Sequence, residues 1–528
     1  HEQEDGWLCP DTGRPRDAYD LWAYFLMLKV LVLYHSFTRD DRVEAVVRRS
    51  LRAIERHMDR MTLYNWAQTR WFEALISVYW LYERTGEPWL LNLASKLRGQ
   101  GFDWISFFDH WPYTEPDEKG RWSQMSHVVN NAMMLKSGAL LWRMTGDPKH
   151  KSSAERMVEL LDRHHGMVTG VFSGDECLAG TSPIRGTELC AVVEYMYSLE
   201  QLLQITGASH WGDRLEKIAF NALPATISPD MWTHQYDQQV NQVQCSTQEE
   251  PVFGTNGGQA HLFGLEPNYG CCTANMHQGW PKYALSTWMR SADGLVAAVH
   301  APTELRTTVG AVPVSVMVDT DYPFKDTVTY RVTASAPVEF TLWLRIPGWA
   351  HGSKVVVDGS ATDTPPAGFH PVRRRWTGTT EVVLQLPMRP ELVARPNDLY
   401  AVVRGPLVYA LPIKERWVRI NEDVPGREYP HCDYEVYPES PWNYALCLRE
   451  GDLEGQITFE EREVGEMPFS PEGAPVVAHL KGRRVDWQMQ GGSAAPVPQR
   501  RWLADEVEDI QLIPYGCTNL RVTEMPLA

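Results

Sequence analysis

The stretch Leu-Trp-Arg-Met-Thr-Gly-Asp-Pro (LWRMTGDP, 141–148) decides how the first half of this chain is read. An apolar-periodic run ends in Thr-Gly, where glycine accepts the left-handed conformation that stops a helix, and a proline soon afterwards prevents its continuation. Related marks stand at YHSFTRDD (34–41), LYERTGEP (81–88) and LLQITGAS (202–209). Their threonines, 38, 85, 145 and 206, are 47, 60 and 61 residues apart, and each interval holds two helices with their loops. Gly86, Gly146 and Gly207 take the stop position. A recurring helical hairpin of this size builds either a solenoid or a closed ring of paired helices, an (α/α) barrel. The irregular spacing and long loops favour the ring.

Near residue 295 the texture changes to short β-branched runs cut by Gly and Pro, such as VPVSVMVDT (312–320), VTYRVTA (328–334) and KVVVDG (354–359). Alternation with period two marks strands packed on one face, so an antiparallel, jelly-roll-like β-sandwich is expected. The chain then divides into a helical domain over 1–294, a sandwich over 295–420 and a tail over 421–528, read as further strands or a second small sandwich.

Composition narrows the function. The 528 residues are 43% hydrophobic and 22% charged, ordinary for a globular protein. A formal charge of −17 without a Lys/Arg run works against nucleic-acid and anionic-membrane partners. The longest apolar stretch, LWAYFLMLKVLVLY (21–34), is too short to span a bilayer and contains Lys29. HEQEDGWLCP (1–10) shows no signal-peptide core, which points to the cytoplasm, although a processed chain would look the same. Nine cysteines, an odd number irregularly spaced, suit reduced thiols or a metal site better than a disulfide framework.

The adjacent pair Cys271-Cys272 in NYGCCTANMHQGWPKY (268–283) makes a poor disulfide, because the ring it would close is strained. Cys190 lies in RGTELCAVVEYMYSLEQLL (185–203), with Thr187 a plausible N-cap that places Glu188 and Cys190 at the positive end of a helix, where a thiolate forms more readily. Glu188, Cys190, Cys271 and Cys272 together suit tetrahedral zinc. Spacing alone leaves buried free thiols as the alternative.

Glu-x-Cys in TELCA (187–191), then GCCTAN (270–275), then LWLRIPGW (342–349) and RGPLVYAL (404–411) resemble the β-L-arabinofuranosidase family, glycoside hydrolase family 127 with its DUF1680 relatives. The resemblance spans nearly the whole chain. It implies an N-terminal (α/α)6 barrel followed by antiparallel β-sandwich domains. It also implies Zn2+ on Glu188, Cys190, Cys271 and Cys272, with Cys271 the nucleophile of a retaining exo-hydrolase that releases terminal β-L-arabinofuranose through a glycosyl-thioether.

The acid/base glutamate of that family ends a Gly-rich loop upstream of Glu-x-Cys. Here TGVFSGDECLAG (169–180) offers Glu176, with Asp175 as the rival, and the segment to Glu188 is shorter than the family pattern. His127, at the start of an inner helix, and Tyr236 in HQYDQQVNQ (234–242) match substrate-binding positions, and Asn241 is a further polar candidate. Trp66 is a candidate wall residue beside Trp22, Arg70 and Trp71, at helix starts where relatives carry further histidines. That departure keeps open the same scaffold acting on another sugar. A zinc-stabilised carbohydrate-binding protein without turnover and a polysaccharide lyase are the other readings, the lyase sitting poorly with the negative charge. The expected partner is a glycan or glycoside terminus, and the oligomeric state is open, a homodimer included.

Overall fold

A computed structural model describes residues 2–8, 13, 15–265, 270–427, 431–449 and 451–528. The four marks are helix ends built to one plan. Thr38, Thr85, Thr145 and Thr206 are the last residues of the helices Trp22–Thr38, Glu73–Thr85, Ser137–Thr145 and Leu189–Thr206. The next residue is left-handed each time, with φ of 56° at Arg39, 66° at Gly86, 66° at Gly146 and 69° at Gly207.

Each threonine hydroxyl donates to the carbonyl four residues back: Tyr34 at 2.9 Å, Leu81 at 3.0 Å, Leu141 at 3.1 Å and Leu202 at 2.6 Å. The same oxygen accepts the amide two residues on, at 3.3 to 3.4 Å. One side chain thus adds a second bond to a carbonyl of the last turn and pins the turn that follows. A second helix then follows each turn: Arg42–Met58, Trp89–Gln100, Pro148–His165 and His210–Phe220.

The chain divides into two compact units, residues 1–112 with 123–160 and residues 113–122 with 161–528. In the first unit, Leu28, Leu51, Leu75, Leu93 and Leu140 are fully buried. Buried Glu73 is ion-paired with Lys29 and Lys136, each at 2.5 Å, and against the cost of burial the two ammonium groups hold its carboxyl down to about 2.

In the second unit the helix Leu189–Thr206 packs against His210–Phe220, Gly270–Met276 and Gly279–Leu285. The strands beyond are gathered about the long antiparallel pair Thr327–Ile346 and Gly368–Gln385, which bulges between Trp376 and Gly378. Gly294–Ala297 runs parallel to residues 341–344, a departure from the all-antiparallel expectation. A second sheet orders Pro390–Arg395, Leu399–Arg404, Leu407–Pro412, Glu508–Pro514, Val476–Arg484 and Tyr444–Leu446, so strands from the tail complete a sheet begun before it. Near the end of the chain, Arg521–Val522 pairs with Leu411–Pro412 and also with Asn241–Gln242. No helix among the described residues is long and apolar enough to cross a membrane.

The loop 173–180 closes on His165, which is fully buried. Its Nδ1 accepts the Gly180 amide at 2.9 Å, its Nε2 lies 2.8 Å from the Tyr113 carbonyl, and its own carbonyl accepts from Ser173 at 2.8 Å. Burial pushes the imidazole down from 6.5 to about 4. With the folded value depressed, the unfolded chain takes up the proton first as pH falls, so the stability this neutral ring supports is complete above 6.5 and is lost toward 4. Urea unfolding should show the wild type losing about 3 kcal/mol across that window relative to His165→Gln. Parallel stability curves for the two proteins would remove the clasp from the account.

Candidate active site

Glu188 and Cys190 flank the junction between a two-residue strand and a helix. Thr187–Glu188 pairs antiparallel with Asp237–Gln238, setting Glu188 opposite Asp237, and the Leu189 amide donates to the Tyr236 carbonyl at 2.9 Å. The helix begins at Leu189 with Glu188 as its N-cap, so the expected cap at Thr187 falls one residue early. Cross-strand pairing extends the backbone through Glu188 and delays the helix. The Glu188 carboxyl makes no capping bond and is left for other work.

Cys271 and Cys272 sit at the start of the helix Gly270–Met276. One ligand atom from each of Glu188, Cys190, Cys271 and Cys272 lies within 4.8 Å of the others. Cys190 and Cys272 sulfurs are 3.4 Å apart, far beyond a disulfide bond, and all eight described cysteines are free. Glu188 Oε2 is buried without a hydrogen-bond partner. Burial, then Glu176 and Cys271 nearby, push the Glu188 carboxyl well up. Three soft donors and a carboxylate converging around an unsatisfied oxygen form a group that could hold a metal ion.

The thiols are not equivalent. Cys190 and Cys272 are buried, whereas Cys271 is the one exposed thiol of the eight. Hydrogen bonds from Cys190 and Cys272 pull the Cys271 thiol down, while Cys190 is pushed well up by its bonds to the other two sulfurs and by burial. Of the three sulfurs, the exposed one is thus the one whose deprotonation its neighbours favour.

Glu176 is half-buried, and Tyr236, 2% exposed, donates its hydroxyl to Glu176 Oε2 while also reaching the Glu188 carboxyl. Asp175 is directed elsewhere. Its Oδ1 accepts the Gly186 amide and its Oδ2 the Gly254 amide, both at 2.6 Å, and Arg185 Nη1 stands 3.7 Å away. Asn241 is spent on the chain end: its amide donates to the Glu524 carbonyl at 2.9 Å, and its oxygen accepts from Thr523 and Glu524 at 2.9 and 3.0 Å.

The other sequence candidates belong to the first unit. His127 caps the helix Val128–Met134, Nδ1 accepting the Asn130 amide at 3.2 Å, and its ring meets Trp66 edge to face at 5.3 Å. Arg70 lies over Trp22 at 4.7 Å and over Trp66 at 4.3 Å, with Nε on Asn130 Oδ1 at 2.6 Å. Trp71 is a core residue, 3% exposed, its indole N–H bonded to the Phe102 carbonyl at 3.0 Å.

Sequence reasoning passed over Asp237, His234 and Asn256. Asp237 is fully buried with Oδ1 unpartnered, its carboxyl raised well above the usual range by burial and by Asp175, Glu188 and Glu176. His234 Nε2 lies 2.9 Å from Thr273 Oγ1, one residue past the cysteine pair. The available signal was HQYDQQVNQ itself, a largely polar run, broken by Val240, whose every residue is buried. Polar residues are buried together where they satisfy one another.

Three solved structures share this fold. A glycoside hydrolase matches with a TM-score of 0.73 at 17% identity, over 100% of this chain and 86% of its own. A GH127 β-L-arabinofuranosidase from Geobacillus stearothermophilus T6 matches at 0.68 and 20%, over 100% and 84%. The GH127 β-arabinofuranosidase BT3674 matches at 0.59 and 16%, over 97% and 90%. A helical (α/α)6-barrel region followed by antiparallel β-domains is therefore the fold class. A curated relative, the non-reducing end β-L-arabinofuranosidase of Bifidobacterium longum, is 24% identical over 467 residues, 77% of this chain and 69% of that protein.

The class of protein is thus a glycoside hydrolase. Residues 3–285 match the model of the β-L-arabinofuranosidase GH127 catalytic domain and residues 294–388 that of the GH127 middle domain, and the chain belongs to this GH127 family.

The unequal thiols make a direct prediction. In chelator-treated protein at neutral pH, iodoacetamide should alkylate Cys271 well ahead of the other seven described cysteines, as read by peptide mass spectrometry. Equal labelling of half-buried Cys447 would contradict the assignment of the thiolate.

Proposed function

We propose that this chain is a retaining exo-glycosidase that removes a terminal β-L-arabinofuranose, with Cys271 as nucleophile and Glu176 as acid and then base. The observation that carries the reading is one exposed sulfur, Cys271, within a four-donor cluster whose Glu188 carboxyl shares the Tyr236 hydroxyl with Glu176. The names of the GH127 relatives supply the sugar. Glu188, Cys190, Cys271 and Cys272 would hold zinc, and their mixed sulfur and oxygen set suits that ion. When bound, zinc supplies positive charge that keeps the thiols deprotonated at neutral pH.

The residues divide the work. Cys271 Sγ attacks the anomeric carbon, the bond from that carbon to the leaving oxygen breaks, and the Glu176 proton passes to that oxygen. The product of this step is a glycosyl-thioether on Cys271. Glu176, now a carboxylate, takes a proton from water as the water oxygen bonds to the anomeric carbon and Cys271 departs as thiolate. Two displacements return the sugar in its starting configuration. Tyr236 orients the Glu176 carboxyl throughout by its hydrogen bond.

In the first unit, the half-buried Trp66 indole and the buried His127 ring that it meets edge to face are proposed contacts for a sugar, since aromatic faces suit carbohydrate rings. The same chemistry on a different terminal sugar is the second reading. It is favoured by the Trp22–Arg70–Trp66 stack at helix starts where the family resemblance led us to expect histidines.

The zinc-loaded protein should release L-arabinose from an aryl β-L-arabinofuranoside faster than it cleaves other aryl pentosides. Cys271→Ala and zinc removal should each lower turnover by at least about 1,000-fold. Glu176→Gln given a dinitrophenyl arabinofuranoside should accumulate a pentosyl adduct on the Cys271 peptide. Full turnover by Cys271→Ala, or an adduct on another residue, refutes the nucleophile, and preference for another sugar selects the second reading.

A further inference from the structure

The geometry points to Asp175 as a positioning residue, one that fixes the Glu176 peptide against the strand–helix corner bearing Glu188 so that Glu176 can deliver its proton. This rests on the reading of Glu176 as the acid. Asp175 is 1% exposed, and its two carboxylate oxygens tie separate pieces of chain to the loop. Oδ1 takes the amide of Gly186, two residues before Glu188, and Oδ2 takes the amide of Gly254, each at 2.6 Å.

Further bonds close the clasp from both sides of Glu176. The Gly174 amide donates to the Gly186 carbonyl at 2.9 Å. The Asn256 side-chain amide donates to the Asp175 carbonyl at 2.7 Å and to Asp237 Oδ2 at 2.9 Å. The Cys177 amide donates to Thr255 Oγ1 at 3.0 Å. Residues 174, 175 and 177 are thereby held by partners in 186 and 255–256 or, through the carboxylate, 254, and Glu176 alone of the four is partly open. The fit leaves no slack, since a Cβ added at Gly186 would come within 2.7 Å of Asp237 Cγ and 3.0 Å of Asp175 Oδ1.

A carboxylate is the group this place requires, because both of its faces meet N–H donors. Asn at 175 has the same shape, but one oxygen becomes an NH2 that confronts a backbone N–H, so one tie is lost and two donors oppose each other. The loop loosens at the peptide next to the acid. A displacement of a fraction of an ångström matters more to proton delivery than to sugar binding.

Leaving-group dependence separates positioning from a purely structural role. An alkoxide must be protonated as it leaves, whereas dinitrophenoxide need not be, and kcat/KM reports only the steps through departure of the leaving group. Relative to wild type, zinc-loaded Asp175→Asn should lose about 100-fold in kcat/KM on a methyl arabinofuranoside and less than about 5-fold on the dinitrophenyl one, as expected when general acid assistance is removed. Glu176→Gln should show the same split, at least as large. Thermal melting and zinc content are read on each protein.

If Asp175→Asn loses equally on both substrates while Glu176→Gln splits them, the positioning role is wrong and the acid stands. If Asp175→Asn splits them and Glu176→Gln does not, Asp175 is itself the acid and both assignments fall, and if neither splits them both also fail. Should Asp175→Asn not fold, Asn256→Ala, which cuts the tie to the Asp175 carbonyl and keeps the carboxylate, carries the test. It should split the two substrates by about 10-fold, and equal losses overturn the proposal.

Discussion

Bringing three thiols and a carboxyl within 4.8 Å of one another is unfavourable until a cation joins them. Like-charged or lone-pair-rich groups repel, and burial raises the cost of ionising any of them. Much of the second unit answers that constraint. Glu188 is held from outside by its strand partner Asp237, Cys190 by a buried helix, and the cysteine pair by a short helix packed on it. Burial drives the carboxyls around them toward the protonated form, opposed at Asp175 by the backbone amides it accepts and further assisted at Asp237 by neighbouring carboxyls. Donors pre-arranged in this way form a group that could hold a cation.

The polar run 234–242 links this centre to the far end of the sequence. Tyr236 faces Glu176, and Asn241–Gln242 pair with Arg521–Val522, so one segment serves the site and the C-terminal sheet. Gln242 donates to the Asn519 carbonyl at 2.6 Å, and Arg521 Nε donates to the Gln239 carbonyl at 3.0 Å. The β-strands of the tail are thus part of what holds the site's scaffold in register.

What could be read from sequence was what is written locally. Four threonine-closed turns gave the helical pairs because each turn is completed by atoms between four residues before and two after the threonine. Glu188, Cys190, Cys271 and Cys272 were legible because few residue types bind metals through sulfur. The N-cap at Glu188 was not, since it depends on a strand partner 49 positions away. Asp175 was visible only as a rival acid, because its partners are backbone amides, which every residue but proline possesses. Trp71 and Asn241 looked like site residues by type, and only packing showed them occupied with the Phe102 carbonyl and the chain end.

The self-contained turns bear on the order in which the molecule assembles. A helix pair that carries its own stop can form while the chain is still being synthesised, since its contacts span few residues. The sulfur cluster must wait, because Cys190 meets partners 81 and 82 positions further on. The helical pairs thus rest on contacts local in sequence, whereas the meeting of the thiols rests on contacts that close long stretches of chain, the slower kind to form.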